Sequence, residues 1–108
     1  MELRYKSKKL KKRCEDPRLA QKAYGSNIGR KLTLRILELE AAPNLGDVAK
    51  IPAARLHRLK GQRKAQFAVD LAHPFRLMFS PIDEDPELSD WTEIEIVRIE
   101  EVLDYHGG

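Results

Sequence analysis

The sequence has a single cysteine, few aromatic residues and no apolar run long enough to span a membrane. Cys14 is the one cysteine among 108 residues, which excludes an intramolecular disulfide and a cysteine-cluster zinc site and favours a reducing compartment. Aromatic residues make up 6% of the chain, so the core has to be built mainly from Leu, Ile, Val and Ala. No apolar run approaches the ~20 residues of a membrane span. We therefore expect one soluble, cytoplasmic domain over residues 1–108.

Charge is abundant instead, and it is unevenly distributed. Residues 1–64 contain 18 Lys and Arg against 6 Asp and Glu, whereas residues 65–108 contain 2 against 11. The two parts thus carry net charges of +12 and −9. A basic segment of this kind can bind a polyanion. The alternative is that the two parts pair with each other across a solvated surface.

The first 43 residues predict a short strand followed by helices. Leu3 to Tyr5 can form the strand, Ser7 can cap a short basic helix, and Asp16-Pro17 is a second helix start. Gly25 interrupts that helix, and Ser26 is predicted to cap a longer one that ends before Pro43. Its apolar stripe consists of Ile28, Leu32, Ile36 and Leu39. The basic residues Arg30, Lys31 and Arg35 are expected on the side away from the core.

After a loop at 44–52, with at most one irregular turn, the pattern changes to alternation. Strands are predicted at 55–60, 66–71, 75–80 and 92–99, with an acidic, unpacked loop at 83–90 and with Trp91 as a packing anchor at the head of the last strand. The predicted fold is α+β. An N-terminal strand and a helical hairpin pack on one face of a small antiparallel β-sheet of three to four strands.

Residues 55–64 contain six basic side chains, counting His57, without an acidic residue. Arg and Lys displace counterions from phosphates, and Gly61 permits a tight turn, so the segment is typical of a phosphate-binding edge. The alternative is an edge strand that its charge protects against aggregation. Near the C-terminus, Asp104-Tyr105-His106 can form a general acid–base set. Its alternative is a polar tail.

Together these segments resemble the RelE/ParE superfamily of toxins from type II toxin–antitoxin systems, and most closely its HigB branch. The resemblance covers nearly the whole chain. It rests on residues 56–61 (LHRLKG) with the basic turn after them, on the strand 66–69 (QFAV), on the aromatic-Arg-apolar strand 75–79 (FRLMF), and on Asp104-Tyr105-His106. Each motif is short, but the four occur in the family's order and spacing.

The resemblance implies a RelE/ParE-like fold and ribosome-dependent cleavage of messenger RNA without a metal or cofactor. The RNA's 2′-hydroxyl attacks the adjacent phosphate. Lys60 and Arg76 would stabilise the developing negative charge. His57 and His106 are the candidates for the acid and the base, and which one takes which role stays open. Asp104 would orient an imidazole or act as base, and Tyr105 would position a nucleobase. The RNA-binding candidates are Arg55, Arg58, Arg63 and Lys64.

The implied partners are the ribosome with its mRNA and a HigA-like helix-turn-helix antitoxin, in a heterotetramer that reaches operator DNA only through the antitoxin. Two other functions stay open. A ParE-like relative would inhibit DNA gyrase by protein contact alone, and an inactive homologue would serve only in an antitoxin repressor complex.

Four of the candidate residues carry a geometric condition or an alternative. His57 and Lys60 have opposite parity in a regular strand, so the strand has to end or bulge before Lys60 if both serve one site. Arg76 can instead pair with Asp70 or with an acidic residue of the last strand, and Tyr105 can be a lid on the sheet edge. Cys14 is expected to be a helix residue near the core.

Overall fold

The computed structural model describes residues 1–61 and 65–105. The helices are α1 (Lys8–Glu15), α2 (Pro17–Tyr24), α3 (Ser26–Ala41) and α4 (Leu45–Val48). The strands are β1 (Glu2–Tyr5), β2 (His57–Arg58), β3 (Phe67–Asp70), β4 (Phe75–Pro81) and β5 (Ile96–Asp104). They form one open five-stranded sheet in the order β1-β5-β4-β3-β2. The α+β prediction is confirmed, but the sheet is mixed rather than antiparallel, because β1 joins it parallel to β5.

Local capping chemistry sets the starts of the first two helices as predicted. The Ser7 hydroxyl accepts a hydrogen bond from the Leu10 amide at 3.1 Å, and the Asp16 carboxylate accepts one from the Arg18 amide at 2.9 Å. Gly25 ends α2 with a φ of 90°, a conformation that favours glycine. The prediction that Ser26 caps the third helix is wrong, because Gly25 is the cap residue and Ser26 is already the first helical residue.

The apolar stripe of α3 packs onto one face of the sheet. Leu32, Ile36 and Leu39 are buried and belong to the same core cluster as Phe67, Val69, Leu77, Phe79, Val97 and Ile99 of the strands. At the crossing of α2 and α3, a Cβ on Gly29 would lie 2.6 Å from backbone atoms of Gln21. Only glycine lets the two backbones approach so closely.

Arg35 lies in the interior, so the prediction that it faces away from the core is wrong. Its side chain is 3% exposed. Nε donates to the Asp70 carbonyl at 2.7 Å, Nη2 donates to the Ala53 carbonyl at 2.8 Å, and Nη1 pairs with Glu38 at 2.9 Å. A buried guanidinium is tolerated here because its three donor groups each reach an acceptor.

The strand predicted at 55–60 is reduced to the two residues of β2. Pro52–Ala54 forms a 3-10 turn, after which Arg55 adopts a left-handed φ of 46°. This conformation prevents a strand from starting before His57. The predicted loop at 44–52 also contains a regular helical turn, α4, in which the Asn44 side chain accepts a hydrogen bond from the Asp47 amide.

The last strand begins four residues later than predicted and ends five residues later. Asp90 and Glu93 form a reciprocal capping box that turns Trp91–Glu93 into a 3-10 turn, so the expectation that Trp91 heads the strand is wrong. Trp91 is nevertheless a packing residue, since its ring meets Phe67 edge-on at 5.1 Å. None of the described helices has the length and apolar character to cross a membrane.

Replacing Arg35 should destabilise the fold, because Arg35→Met removes a buried guanidinium that donates to two backbone carbonyl oxygens from distant segments. We expect a loss of about 2–4 kcal/mol in the free energy of unfolding measured with urea. Arg30→Met is the matched control on the exposed side of the same helix, and its effect should stay below about 0.5 kcal/mol. Equal effects of the two substitutions would contradict the structural role of Arg35.

Cys14 is buried in α1, as expected. Burial, with a smaller contribution from Glu15, raises the pKa of the thiol from 9.0 to about 12. An acid whose pKa is raised in the folded state adds stability that is complete below its unfolded pKa and is lost as the pH rises toward 12. At pH 10 the loss should be roughly 1.4 kcal/mol. Urea unfolding at pH 8 and pH 10 should show this loss for the wild type and a smaller loss for Cys14→Ala.

Candidate functional site

The sheet face opposite the helices carries a separate small apolar cluster. Leu59, Ala68 and Met78 are buried there, and Leu103 and Tyr105 pack against them. The strand register brings polar residues to the same face, because His57 pairs with Ala68 and Arg76 pairs with both Asp70 and Leu103. Opposed residues of antiparallel strands point to the same side. We refer to His57, Asp70, Arg76 and Tyr105 as the open-face cluster.

His57 has a defined partner on each ring nitrogen. Nδ1 lies 2.7 Å from the Arg55 carbonyl oxygen, which can only accept, so Nδ1 carries a proton. Nε2 lies 3.4 Å from Nη1 of Arg76, which can only donate. In the neutral imidazole, Nε2 therefore holds the lone pair. This nitrogen, which also faces Arg76, is the ring atom that can accept a proton from a substrate.

Arg76 is the centre of the open-face cluster. Its guanidinium carbon lies 4.4 Å from the centroid of the Tyr105 ring, a cation–π contact. Its Nε lies 3.6 Å from Oδ1 of Asp70. The backbone amide of Tyr105 donates to the Pro74 carbonyl at 2.9 Å, which continues the β4–β5 ladder and holds the phenol beside Arg76. Pairing of Arg76 with Asp70, left open by the sequence, is thus observed, together with the contacts to His57 and Tyr105.

Asp70 is the residue of the cluster that sequence reasoning treated only as a structural partner. Its Oδ2 accepts a hydrogen bond from Arg55 Nε at 2.6 Å, while its Oδ1 is buried and has no hydrogen-bond donor in the described part of the chain. The available signal was its place at the end of a strand, directly opposite Arg76 across the turn at 71–74. Arg55, predicted to bind RNA, is held by this carboxylate although most of its side chain is exposed.

Lys60 satisfies the condition that the strand ends before it. β2 ends at Arg58, although the Leu59 amide still donates to the Gln66 carbonyl at 2.9 Å. Lys60 itself is exposed. Within residues 1–61 and 65–105, the contacts that join His57, Arg76 and Tyr105 do not include Lys60, so its part in one site with them stays a prediction.

The C-terminal triplet is described only in part. Asp104 is the last residue of β5 and pairs with Phe75, so strand alternation places it on the other face from Arg76. Its predicted role beside an imidazole stays a prediction. His106, Arg63 and Lys64 lie outside the described residues. Within those residues, no group of three His, Cys, Asp or Glu side chains is arranged to hold a metal ion.

The acidic loop contacts the basic edge, contrary to the expectation that it does not pack. Glu87 Oε1 lies 3.3 Å from Nη2 of Arg58, and the Pro86 carbonyl lies 3.5 Å from its Nη1. The loop is ordered internally, since Asp85 accepts the Glu87 amide at 2.9 Å and the Ser89 hydroxyl donates to Glu84 at 2.6 Å. A cavity of about 190 Å³ lies between Arg58 and residues 85–87.

Arg58 pairs with the core residue Phe67 in the β2–β3 register, so its side chain leaves the sheet on the other face from His57, where it meets Glu87. On the open face, the guanidinium groups of Arg55 and Arg76 share the carboxylate of Asp70. A phosphate resembles a carboxylate in accepting paired hydrogen bonds from a planar guanidinium, so it can compete with the carboxylate for these arginines. With the His57 lone pair beside them, the residues can bind an anion and accept a proton next to it.

If Arg58 binds RNA, as the family resemblance implies, Glu87→Gln should remove one carboxylate from Arg58 and strengthen binding of a single-stranded RNA oligonucleotide. An exposed ion pair of this kind contributes little, so we expect the dissociation constant to fall about 2- to 5-fold. The slope of log affinity against log salt should steepen by about 0.7. Glu95→Gln removes the same charge at an exposed position outside these contacts. An identical gain from both variants, measured by fluorescence anisotropy, would mean that Glu87 does not mask Arg58.

Comparison with known proteins assigns no family to the chain. No protein-family model matches it, and the curated proteins searched contain no match. The link to the RelE/ParE toxins consequently rests on the four short motifs and on the chemistry of the open-face cluster.

Proposed function

We propose that this protein is a toxin of the RelE/ParE superfamily, of the HigB type, that cleaves messenger RNA on the ribosome in the cytoplasm. The observation that carries the proposal is the contact of an imidazole, a guanidinium and a phenol in His57, Arg76 and Tyr105. These are three of the six residues that the family resemblance assigns to catalysis. They come from β2, β4 and the end of β5, so only the fold brings them together.

The chemistry of RNA cleavage makes three demands, and two of them suit the open-face cluster. The 2′-oxygen forms a bond to the adjacent phosphorus and loses its proton, for which the lone pair of His57 Nε2 is an acceptor. The phosphorane gains negative charge, which Arg76 can stabilise as a preorganised donor. Its stack on Tyr105 limits the freedom of the guanidinium before substrate binds.

The third demand is a proton for the leaving 5′-oxygen when its bond to phosphorus breaks. His106 is the candidate for this step, and Lys60 is the candidate for a second cation on the phosphate. The tautomer inferred from the two contacts of His57 supports its assignment as the base, whereas the residues alone left both assignments open. The reaction leaves a 2′,3′-cyclic phosphate and a 5′-hydroxyl, and atoms and charges balance without a further reactant.

The proposed partners follow from the same assignment. The ribosome would present the messenger RNA as a single strand, which a stacking aromatic residue such as Tyr105 can engage. A HigA-like helix-turn-helix antitoxin would neutralise the toxin and carry the complex to operator DNA. Its contact surface is part of the proposal, and the basic first part of the chain offers it an electrostatic target.

The proposal predicts graded losses of cleavage in a translation extract programmed with a defined mRNA. His57→Gln should lower the rate about 100-fold or more, since it removes the proton acceptor. Arg76→Met should lower it about 100-fold. Tyr105→Phe keeps the ring and should retain most activity, whereas Tyr105→Ala should lose about 10-fold if the ring stacks on a base.

Lys50→Met, an exposed position on the helical side paired with Asp47, is the matched control and should cleave like the wild type. Cleavage is read as new 5′ ends on the mRNA, with and without ribosomes, after each variant has been shown to be folded. Equal cleavage by the wild type and His57→Gln would overturn the role of His57 as base, and the absence of new ends from the wild type would overturn the nuclease assignment. Growth arrest with intact mRNA would direct the next assay to gyrase supercoiling.

A further inference from the structure

We propose that Asp70 is a positioning residue that fixes the orientation and tautomer of His57 by holding the partners of both its ring nitrogens. The two oxygens of one carboxylate face Arg55 and Arg76. Arg55 supplies the acceptor for Nδ1, and Arg76 supplies the donor for Nε2. The catalytic consequence rests on the proposed function, whereas the effect on the imidazole does not.

The first arm runs through Arg55. Its φ of 46° lies in the left-handed region, which is unfavourable for a residue with a Cβ. Such a conformation persists only where the surroundings hold it. Here the 2.6 Å bond from Arg55 Nε to Asp70 and the bond from its amide to the Pro52 carbonyl hold it. The conformation in turn aims the Arg55 carbonyl at Nδ1 of His57.

The second arm runs through Arg76. Asp70 and Arg76 are opposed in the β3–β4 register, so the carboxylate limits where the guanidinium can lie. Oδ1 of Asp70 is buried without a hydrogen-bond donor among the described residues, and Arg76 Nε lies 3.6 Å away from it. The far end of the same guanidinium reaches His57 Nε2. Tyr105 restricts it from the ring face.

Asp70 can act as an anchor because its own backbone is fixed. Arg35 donates to the Asp70 carbonyl and, from the same guanidinium, to the carbonyl of Ala53. Ala53 lies two residues before Arg55. The buried Arg35 side chain therefore links the backbone at Asp70 to the backbone segment that leads into Arg55. The geometry between Asp70 and Arg55 is therefore set from the interior.

Removing the carboxylate charge should loosen both arms at once. Asp70→Asn keeps the size of the side chain but removes its charge and replaces one acceptor oxygen with a donor NH2, so it can no longer hold both guanidinium groups in place. Without them, neutral His57 should move toward the Nε2–H form that free histidine prefers in water. That form places the proton on the nitrogen that has to accept one, so the imidazole would present a donor to the substrate instead of an acceptor.

The test measures the imidazole directly. Long-range nitrogen–proton NMR spectra at a pH where the ring is neutral report which nitrogen carries the proton, and the signals of His57 are those absent from His57→Gln. We expect the Nδ1–H form in the wild type and in Asp47→Asn, a matched carboxylate-to-amide change on α4. Asp70→Asn should convert at least about half of His57 to the Nε2–H form.

A second variant keeps the proposal testable if Asp70→Asn does not fold. Arg55→Met removes only the first arm at a largely exposed side chain and should also shift the tautomer toward Nε2–H. In the cleavage assay, Asp70→Asn should lower kcat about 10- to 100-fold through misplacement of the base, with KM nearly unchanged. The tautomer is the primary readout, because a merely structural role would not move it.

The outcomes separate the two proposals. If the wild type cleaves no mRNA but the tautomer still shifts in Asp70→Asn and Arg55→Met, the nuclease assignment fails and the positioning role stands. If folded Asp70→Asn retains the Nδ1–H form, or if Arg55→Met retains it where Asp70→Asn does not fold, the positioning role is overturned whatever the cleavage result.

Discussion

The buried guanidinium of Arg35 links the helical layer to the edge of the sheet that carries the candidate site. It comes from α3, and its two carbonyl acceptors belong to the end of β3 and to the 3-10 turn before β2. β3 is paired with the seven-residue strand β4 on one side, but on the other side its partner β2 contains only two residues. The placement of Arg55 relative to Asp70, and through them of His57, is therefore supported by one side chain from a different layer.

Features that depend on nearby residues could be predicted from the sequence. The caps at Ser7 and Asp16 involve amides two or three residues away, and the break at Gly25 is a property of its own backbone. The buried stripe of α3 follows from periodicity. The end of the strand before Lys60 follows from the sequence only as a condition for His57 and Lys60 to share one site, whereas the predicted strand runs through residue 60.

Features that depend on distant residues could not be predicted in the same way. Arg35 is polar, and its burial requires acceptors from Ala53 and Asp70 that no local pattern reveals, although its position three residues after Leu32 places it beside the apolar stripe. The start of β5 was misplaced because apolar Trp91 resembled a strand residue, while the capping box of Asp90 and Glu93 favoured a turn. Asp70 was missed as an anchor because a carboxylate opposite an arginine is usually only a cross-strand pair.

The fold supports self-pairing of the basic and acidic parts at the edge of the sheet, whereas lysines of the helical layer remain exposed. Arg55 and Arg58 of the basic part pair with Asp70 and Glu87 of the acidic part, so self-pairing describes the edge of the sheet. The lysines of α1, by contrast, are exposed and keep the basic character of the helical layer. An incoming phosphate at the open-face cluster would have to compete with internal carboxylates, whereas one at the helices would not. Selectivity at the cluster would therefore come from the geometry around His57 and Arg76 rather than from net charge.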